Sequence, residues 1–299
     1  MIDIQISSHT DVGDKKQTNQ DSILVKTGII ENKTVGLYIV ADGCGGLAFG
    51  EEISNLVVTH FSRIWKKELA EVISKKRYED KDIDNVLEKA IADINASAKN
   101  FGTQVESKVG STLSLLLTID KKYYIKNVGD SRIYLSRKGK LTQLTEDQSL
   151  VADMIRNGEL TREEAKNFKK KNVLTMCIGV FEKIMTYTKI GKVKSGDSFL
   201  LCCDGLHNKV TEEDMCEIIS DRSIAFENKC EFMRHNITQG EANDNVSSIL
   251  CKYKMKNNKV PKLICFALAL AIVIGSTIFF KKEIYSIGMK IWGMIKNAF

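Results

Sequence analysis

One proline stands among the 299 residues, Pro261, and it lies beside the single clear compositional boundary in the chain. There is no CxxC pair, and the eight cysteines follow no regular spacing, which argues against a zinc ribbon or a disulfide framework. The first residues, MIDIQISSHTD, lack both the basic and the apolar region of a signal peptide. Residence in the cytosol with reduced thiols is therefore the expectation. The body also lacks net charge. Of the 44 basic and 38 acidic residues, seven Lys and one acid, Glu283, fall from Lys256 onward, leaving 37 of each sign before it. A neutral body has no phosphate-facing basic patch, so no nucleic acid is expected as a partner.

What is present reads as a sizeable folded body with a short apolar tail. Apolar residues make up 43% and charged residues 27% of the chain, enough to bury a large core. Ile53, Leu56, Val57, Phe61, Ile64 and Trp65 recur at helical spacing, as do Ile83, Val86, Leu87, Ala90, Ile91 and Ile94. The runs 37–41, 112–119, 123–128, 133–136 and 199–203 read as strands. Strands, then two helices, then strands is an α+β order, unlike the βαβα order of a parallel sheet. Residues 1–254 form the expected body and 255–262 a basic linker. Residues 263–280, LICFALALAIVIGSTIFF, carry no charge and are flanked by Lys. As a helix they span about 27 Å, close to the hydrocarbon thickness of a bilayer, and a single transmembrane helix is expected. In the 281–299 tail, Ile284, Ile287, Ile291, Trp292 and Ile295 recur at helical spacing. An interfacial helix, a partner-binding helix and a short helical end with no role fit that pattern equally.

Four acids sit where apolar strands begin or end. Asp42 follows 37–41 and opens DGCGG; Asp130 lies within NVGDSR; Asp204 follows 199–203 and opens DGL; Asp244 precedes Asn245 and the run 246–250. A single Asp-Gly is usually a turn. Four at strand ends suggest carboxylates gathered at one edge of a sheet core. Such a cluster repels itself unless a cation neutralises it, and hard oxygen donors suit Mg²⁺ or Mn²⁺ better than zinc. Two ions a few ångströms apart would activate a water and neutralise a phosphate's developing charge.

At this point the sequence resembles the PP2C (PPM) family of metal-dependent Ser/Thr protein phosphatases. The elements run in order: DVGDKKQTNQD at 11–21, ADGCGG at 41–46, GEEIS at 50–54, GST at 110–112, NVGDSRIY at 127–134, LTEDQSL at 144–150, NVLTMCIG at 172–179, GDSFLLCCDGL at 196–206 and NDNVS at 243–247. The resemblance implies a four-layer αββα sandwich of two antiparallel sheets flanked by helices, with two Mn²⁺ or Mg²⁺ ions and a weaker third site. Asp42 matches the acid that bridges both ions, the Gly43 carbonyl a ligand of the second, and Asp204 and Asp244 ligands of the first. Asp21 matches an acid acting through bound water, Asp130 a residue linked to the third metal, and Lys16 the phosphate-binding position. Residues 150–171 match a flap beside the site. The implied reaction is in-line attack by metal-activated water on phosphoserine or phosphothreonine. The implied partners are phosphorylated proteins, targets of a Ser/Thr kinase, with the catalytic body on the cytoplasmic side of a single-pass membrane protein.

Several positions depart from the family pattern. Lys16 stands where the family has Arg, Cys44 where it has His or Met, and Asn208 where an Asp often serves the third metal. Gln148 and Met176 replace a frequent His and Arg near the expected rim. These departures keep a second reading open, a non-catalytic membrane adaptor that binds a phosphoprotein; hydrolysis of a small phosphorylated metabolite is a third. An ammonium is a point charge, whereas a guanidinium grips two phosphate oxygens at once. Lys16→Arg is accordingly expected to lower KM on a phosphopeptide, and an unchanged or higher KM would refute that assignment of position 16.

Overall fold

The computed structural model describes residues 2–44, 47–166, 168, 170, 172–237, 242–255, 276–277, 280–290 and 292–293. The chain divides into two units, Met1–Met255 and Lys256–Phe299.

The first unit is built on two five-stranded antiparallel sheets. One has the order β1 (Ile2–Asp11), β10 (Val246–Met255), β9 (Ser198–Cys202), β6 (Arg132–Arg137) and β7 (Lys140–Gln143). The other has the order β2 (Asp21–Ile30), β3 (Lys33–Asp42), β4 (Leu113–Ile119), β5 (Lys122–Val128) and β8 (Tyr187–Lys192). Side chains alternate between the two faces of a strand, and here both faces are covered. On β3, Val35, Leu37, Ile39 and Ala41 join the helices α1 (Gly50–Ile64) and α3 (Asp80–Gln104) in one buried cluster. The intervening Tyr38 and Val40 point into a second cluster with Phe199, Leu201, Ile249 and Tyr253, between the sheets. On β9 and β10, Leu200, Cys202, Val246 and Leu250 face a third cluster under α7 (Glu212–Ser220) and α8 (Lys229–Ile237). The layers are helix, sheet, sheet, helix, as the resemblance implied. Double coverage explains why these strands read as unbroken apolar runs although the sheets are antiparallel.

Turn chemistry sets the register that matters most. β2 and β3 are joined by Glu31 and Asn32, both at positive φ (47° and 63°), the backbone a two-residue hairpin of primed type requires. From that turn the pairing runs Ile30 with Lys33 through to Asp21 with Asp42. The hairpin at one end of the sandwich therefore fixes which two acids meet at the other. A slip of one residue would turn both sets of side chains to the wrong face.

Helix α3 begins where the Asp82 carboxylate accepts from the Glu79 backbone N–H at 2.8 Å, satisfying a donor that the first turn leaves open. The 150–171 segment contains α4 (Leu150–Arg156) and α5 (Arg162–Lys166), separated by Gly158 at φ 75°. Gln148 ties loops together: its Oε1 accepts from Gly129 N at 2.9 Å and its Nε2 donates to the Met185 carbonyl at 2.7 Å. Met176, expected near the rim, is instead buried in the cluster beneath α1 and α3.

In the second unit, residues 280–290 are helical, and Phe280, Ile284, Tyr285, Ile287, Met289 and Trp292 are exposed. Most of the expected span at 263–280 lies outside the described residues. Among the described residues no helix is long and apolar enough to cross a membrane.

Candidate metal centre

The acids anticipated at strand ends come to one end of the sandwich because of how the strands run. Asp21 opens β2 and Asp42 closes β3, side by side in the second sheet. Asp204 follows β9 and begins the short helix α6 (Asp204–His207), while Asp244 lies two residues before β10. β9 and β10 are antiparallel, so the end of one lies beside the start of the other. Asp130 sits in the connection from β5, in one sheet, to β6, in the other. The centre thus straddles both sheets.

Carboxylate oxygens of Asp21 and Asp42 and the Cys203 thiol lie within 4.8 Å of one another. Cys203 was not singled out from the sequence, because its partners are distant in the chain. Its sulfur is committed to the backbone: it donates to the Asn245 carbonyl at 3.4 Å and accepts from Ser247 N at 3.1 Å. Burial also pushes the thiol well above its usual range, so it stays neutral and braces the loop that carries Asp244.

The carboxyls carry the electrostatic signature of a crowded anionic site. Asp42 is pushed well above the usual range, first by burial and then by the negative charges of Asp21, Asp204, Asp130 and Asp244. Burial raises Asp21 to about 6 and Asp130 to about 8, with the charge of Asp204 adding to both. Asp204 is raised by burial and then by Asp244. Among the described residues neither oxygen of Asp21 has a hydrogen-bond partner, although the residue is only 8% exposed. A buried carboxylate left without donors is costly. Oxygen donors of one sign, crowded and unsatisfied, fit a hard divalent cation such as Mn²⁺ or Mg²⁺.

The surrounding motifs hold these acids in place. Asp42 is clamped through its backbone: its N–H donates to Thr112 Oγ1 at 3.0 Å, and its carbonyl accepts from Ser111 Oγ at 3.0 Å and Thr112 N at 2.8 Å. That is the structural role of the GST triplet. Thr112 Oγ1 also meets Ser131 Oγ at 2.8 Å, tying the Asp130 loop to the same point. His207, half-buried and with its pKa pushed well down by desolvation, donates through Nε2 to the Asp130 carbonyl at 3.1 Å. Asn245 fastens the 12–20 loop: its Nδ2 donates to the carbonyls of Val12 and Thr18, and its Oδ1 accepts from Gln20 N at 2.9 Å. Two glycines are obligatory here. A Cβ on Gly205 would fall 2.0 Å from the Asn245 carbonyl oxygen, and one on Gly13, at φ 79°, 2.2 Å from that of Asp244.

Lys16 reaches the rim, where its Nζ lies 2.8 Å from Asp244 Oδ1, both side chains partly exposed. Its pKa is raised, first by that hydrogen bond and further by the charges of Asp244, Asp42 and Asp204. Asn208 donates to Asp204 Oδ2 at 3.4 Å. Cys44 is buried, and its thiol is pushed up first by the hydrogen bond it donates to Cys177 and then by burial. Gly43 leaves the β3 edge with its N–H donating to the Gln20 carbonyl at 3.0 Å.

Comparison with known proteins agrees with this geometry. Residues 8–249 match the family described as protein phosphatase 2C. The serine/threonine phosphatase stp of Listeria monocytogenes is 35% identical over 248 residues, covering 81% of this chain and 92% of that protein. Among solved structures, the S. agalactiae serine/threonine phosphatase superposes with a TM-score of 0.74 at 26% identity, covering 83% of this chain and 99% of that one. The catalytic domain of the serine/threonine protein phosphatase PstP, in complex with two manganese ions, superposes at 0.71 with 23% identity, covering 85% and 100%, a likeness of fold.

The buried acids also predict a stability effect. Asp21 has a raised pKa in the fold, so its contribution is fully present below the unfolded value near 4, falls as pH rises, and is lost above about 6. The ionised carboxyl then costs roughly 2–3 kcal/mol. At pH 7.5 in chelator, Asp21→Asn should raise the unfolding midpoint of the full chain by a few degrees, and added Mn²⁺ should raise it less than in the parent. Thermal melts with and without Mn²⁺ check this; a lowered midpoint in chelator would contradict it.

Proposed function

The chain belongs to the protein phosphatase 2C family and is a serine/threonine phosphatase, and we propose that Asp21, Asp42, Gly43, Asp204 and Asp244 hold the two Mn²⁺ or Mg²⁺ ions that serve its reaction on phosphoserine and phosphothreonine in proteins. The observation that carries this reading is the pairing of Asp21, buried without a hydrogen-bond partner among the described residues, with Asp42 across one strand register. When bound, the ions supply Lewis acidity, lowering the pKa of the attacking water and offsetting charge on the phosphoryl oxygens. The chain's own groups do the rest. Thr112, Ser111 and Asn245 hold the acid-bearing loops at fixed separation, so little reorganisation accompanies reaction. Lys16 places an ammonium at the rim, beside Asp244, where it orients an incoming phosphate by charge. Asp130 and Asn208, beside Asp204, make a weaker third position, since an amide replaces a charged ligand there. The thiols of Cys44 and Cys203 are buried and held protonated, so neither serves as a nucleophile.

We further infer that residues 263–280 tie the enzyme to a membrane, with residues 1–254 on the cytoplasmic side, where they act on targets of a Ser/Thr kinase. Support for the anchor is the uncharged 18-residue run flanked by Lys. Support for the orientation is the set of seven free cysteines among the described residues, six of them buried, which suits a reducing compartment.

Two outcomes are expected. The full chain should release phosphate from phosphoserine or phosphothreonine peptides only with Mn²⁺ or Mg²⁺, and Asp42→Asn should lower kcat by at least about 10³-fold. Turnover without metal, or an active Asp42→Asn variant, would remove the assignment, and failure to bind Mn²⁺ at all would favour the adaptor. In cells, the chain should resist extraction at alkaline pH and its body should be degraded by protease only after the membrane is breached. Release of the chain by alkaline wash would end the anchoring claim.

A further inference from the structure

The stretch from Val12 to Gln20 carries Lys16 yet belongs to no helix or strand. Its hold on the body comes from two places. Asn245 grips it at Val12, Thr18 and Gln20. The second hold is on α8, on the outer helical layer. Arg234 Nε donates to Asp11 Oδ1 at 2.9 Å, and Arg234 Nη2 donates to Asp14 Oδ1 at 2.9 Å. Asp14 is locked further, because Ala242 N donates to its Oδ2 at 2.8 Å and its own N–H donates to the Ala242 carbonyl at 2.7 Å. Lys16 therefore lies between a fixed residue 14 and a fixed residue 18.

Arg234 is mostly buried, with a side chain 9% exposed, and its Nη1 has no hydrogen-bond partner among the described residues. A guanidinium can bridge two carboxylates in fixed directions, which an ammonium cannot. We propose that Arg234 is a positioning residue for phosphate binding, acting through Asp11 and Asp14 to set where Lys16 stands at the metal centre. The need for such a clamp follows from Lys16 itself. A lysine offers one point of charge on a flexible stem, so its aim depends on its backbone more than a forked guanidinium's would. A loop displaced by a fraction of an ångström weakens a charge contact of this kind before it disturbs the buried acids. The inference rests on the reading of Lys16 as the phosphate-orienting group.

The architecture also says why losing Arg234 should spare the fold. Asp11 Oδ1 still accepts from Gly13 N at 2.8 Å, and Asp14 still accepts from Ala242 N, so neither carboxylate is left without a donor. Both side chains are partly exposed and can be hydrated.

The test uses the full chain with Mn²⁺, para-nitrophenyl phosphate as substrate and inorganic phosphate as inhibitor. Arg234→Met should raise KM and the inhibition constant for phosphate by about five- to tenfold, with kcat within about twofold of the parent. Asp14→Asn should move both constants in the same direction, and Arg234→Lys should fall between. In a Lys16→Met background, adding Arg234→Met should change KM by less than about twofold, because the group being positioned is gone. An unchanged KM and inhibition constant would overturn the proposal, as would an equal effect in both backgrounds, the mark of a purely structural residue. Should Arg234→Met fail to fold, Asp14→Asn on the exposed side of the same contact carries the test. A parent chain with no Mn²⁺-dependent turnover would instead overturn the phosphatase reading, and this one with it.

Discussion

Mutual repulsion among buried carboxylates is the constraint around which this molecule is arranged. Asp42 feels the charges of Asp21, Asp204, Asp130 and Asp244 together, in a setting from which water is largely removed. Left alone, such a group would spread apart or take up protons. The fold prevents the first by bracing every acid from its backbone, and the raised pKa values of Asp21 and Asp130 record the second. A site that is unfavourable by itself and favourable with divalent cations is how an enzyme makes metal binding strong from oxygen donors alone. The stability lost in gathering the acids is offset by three apolar clusters, which fill the space between the sheets and on both outer faces.

The bracing groups are polar residues that no single element supplies. Thr112 comes from just before β4, Asn245 from the approach to β10, Cys203 from just after β9 and His207 from α6. Each satisfies backbone groups that an irregular loop would otherwise leave open. The same logic extends outward to Arg234, which reaches from the helical layer to the loop bearing Lys16. Asn208, for its part, contacts Asp204 and leaves the Asp21–Asp42 pair intact.

Much of the architecture was legible because double burial writes itself into composition. The runs forming β3, β4, β5, β6 and β9 are apolar on consecutive residues, and the two long helices show their periodicity plainly. β2 and β8 were not read as strands, for a physical reason. They lie at the edges of their sheet, where one side of the strand meets solvent and polar residues are tolerated. The β2–β3 turn was equally hidden, since Glu31 and Asn32 adopt positive φ without the Asn-Gly or Asp-Gly pair that marks such hairpins. Met176 was read near the rim from its place in the motif, whereas its side chain turns into the core with Ile178.

By itself the sequence determined which acids are present, that Asp42, Asp130 and Asp204 stand beside glycines near strand ends, and that an uncharged 18-residue run follows a neutral body. These are local facts, carried by residue type, spacing and the short-range preferences of the backbone. Only the tertiary structure decided which acid faces which, that Cys203 braces Asn245 and Ser247 beside the centre, that Lys16 meets Asp244, and that Arg234 holds Asp14 across 220 residues of chain. Such pairings are set by strand register and by the packing of layers. A contact between residues so far apart leaves no periodicity or composition in either segment, so it exists only once the whole core has closed.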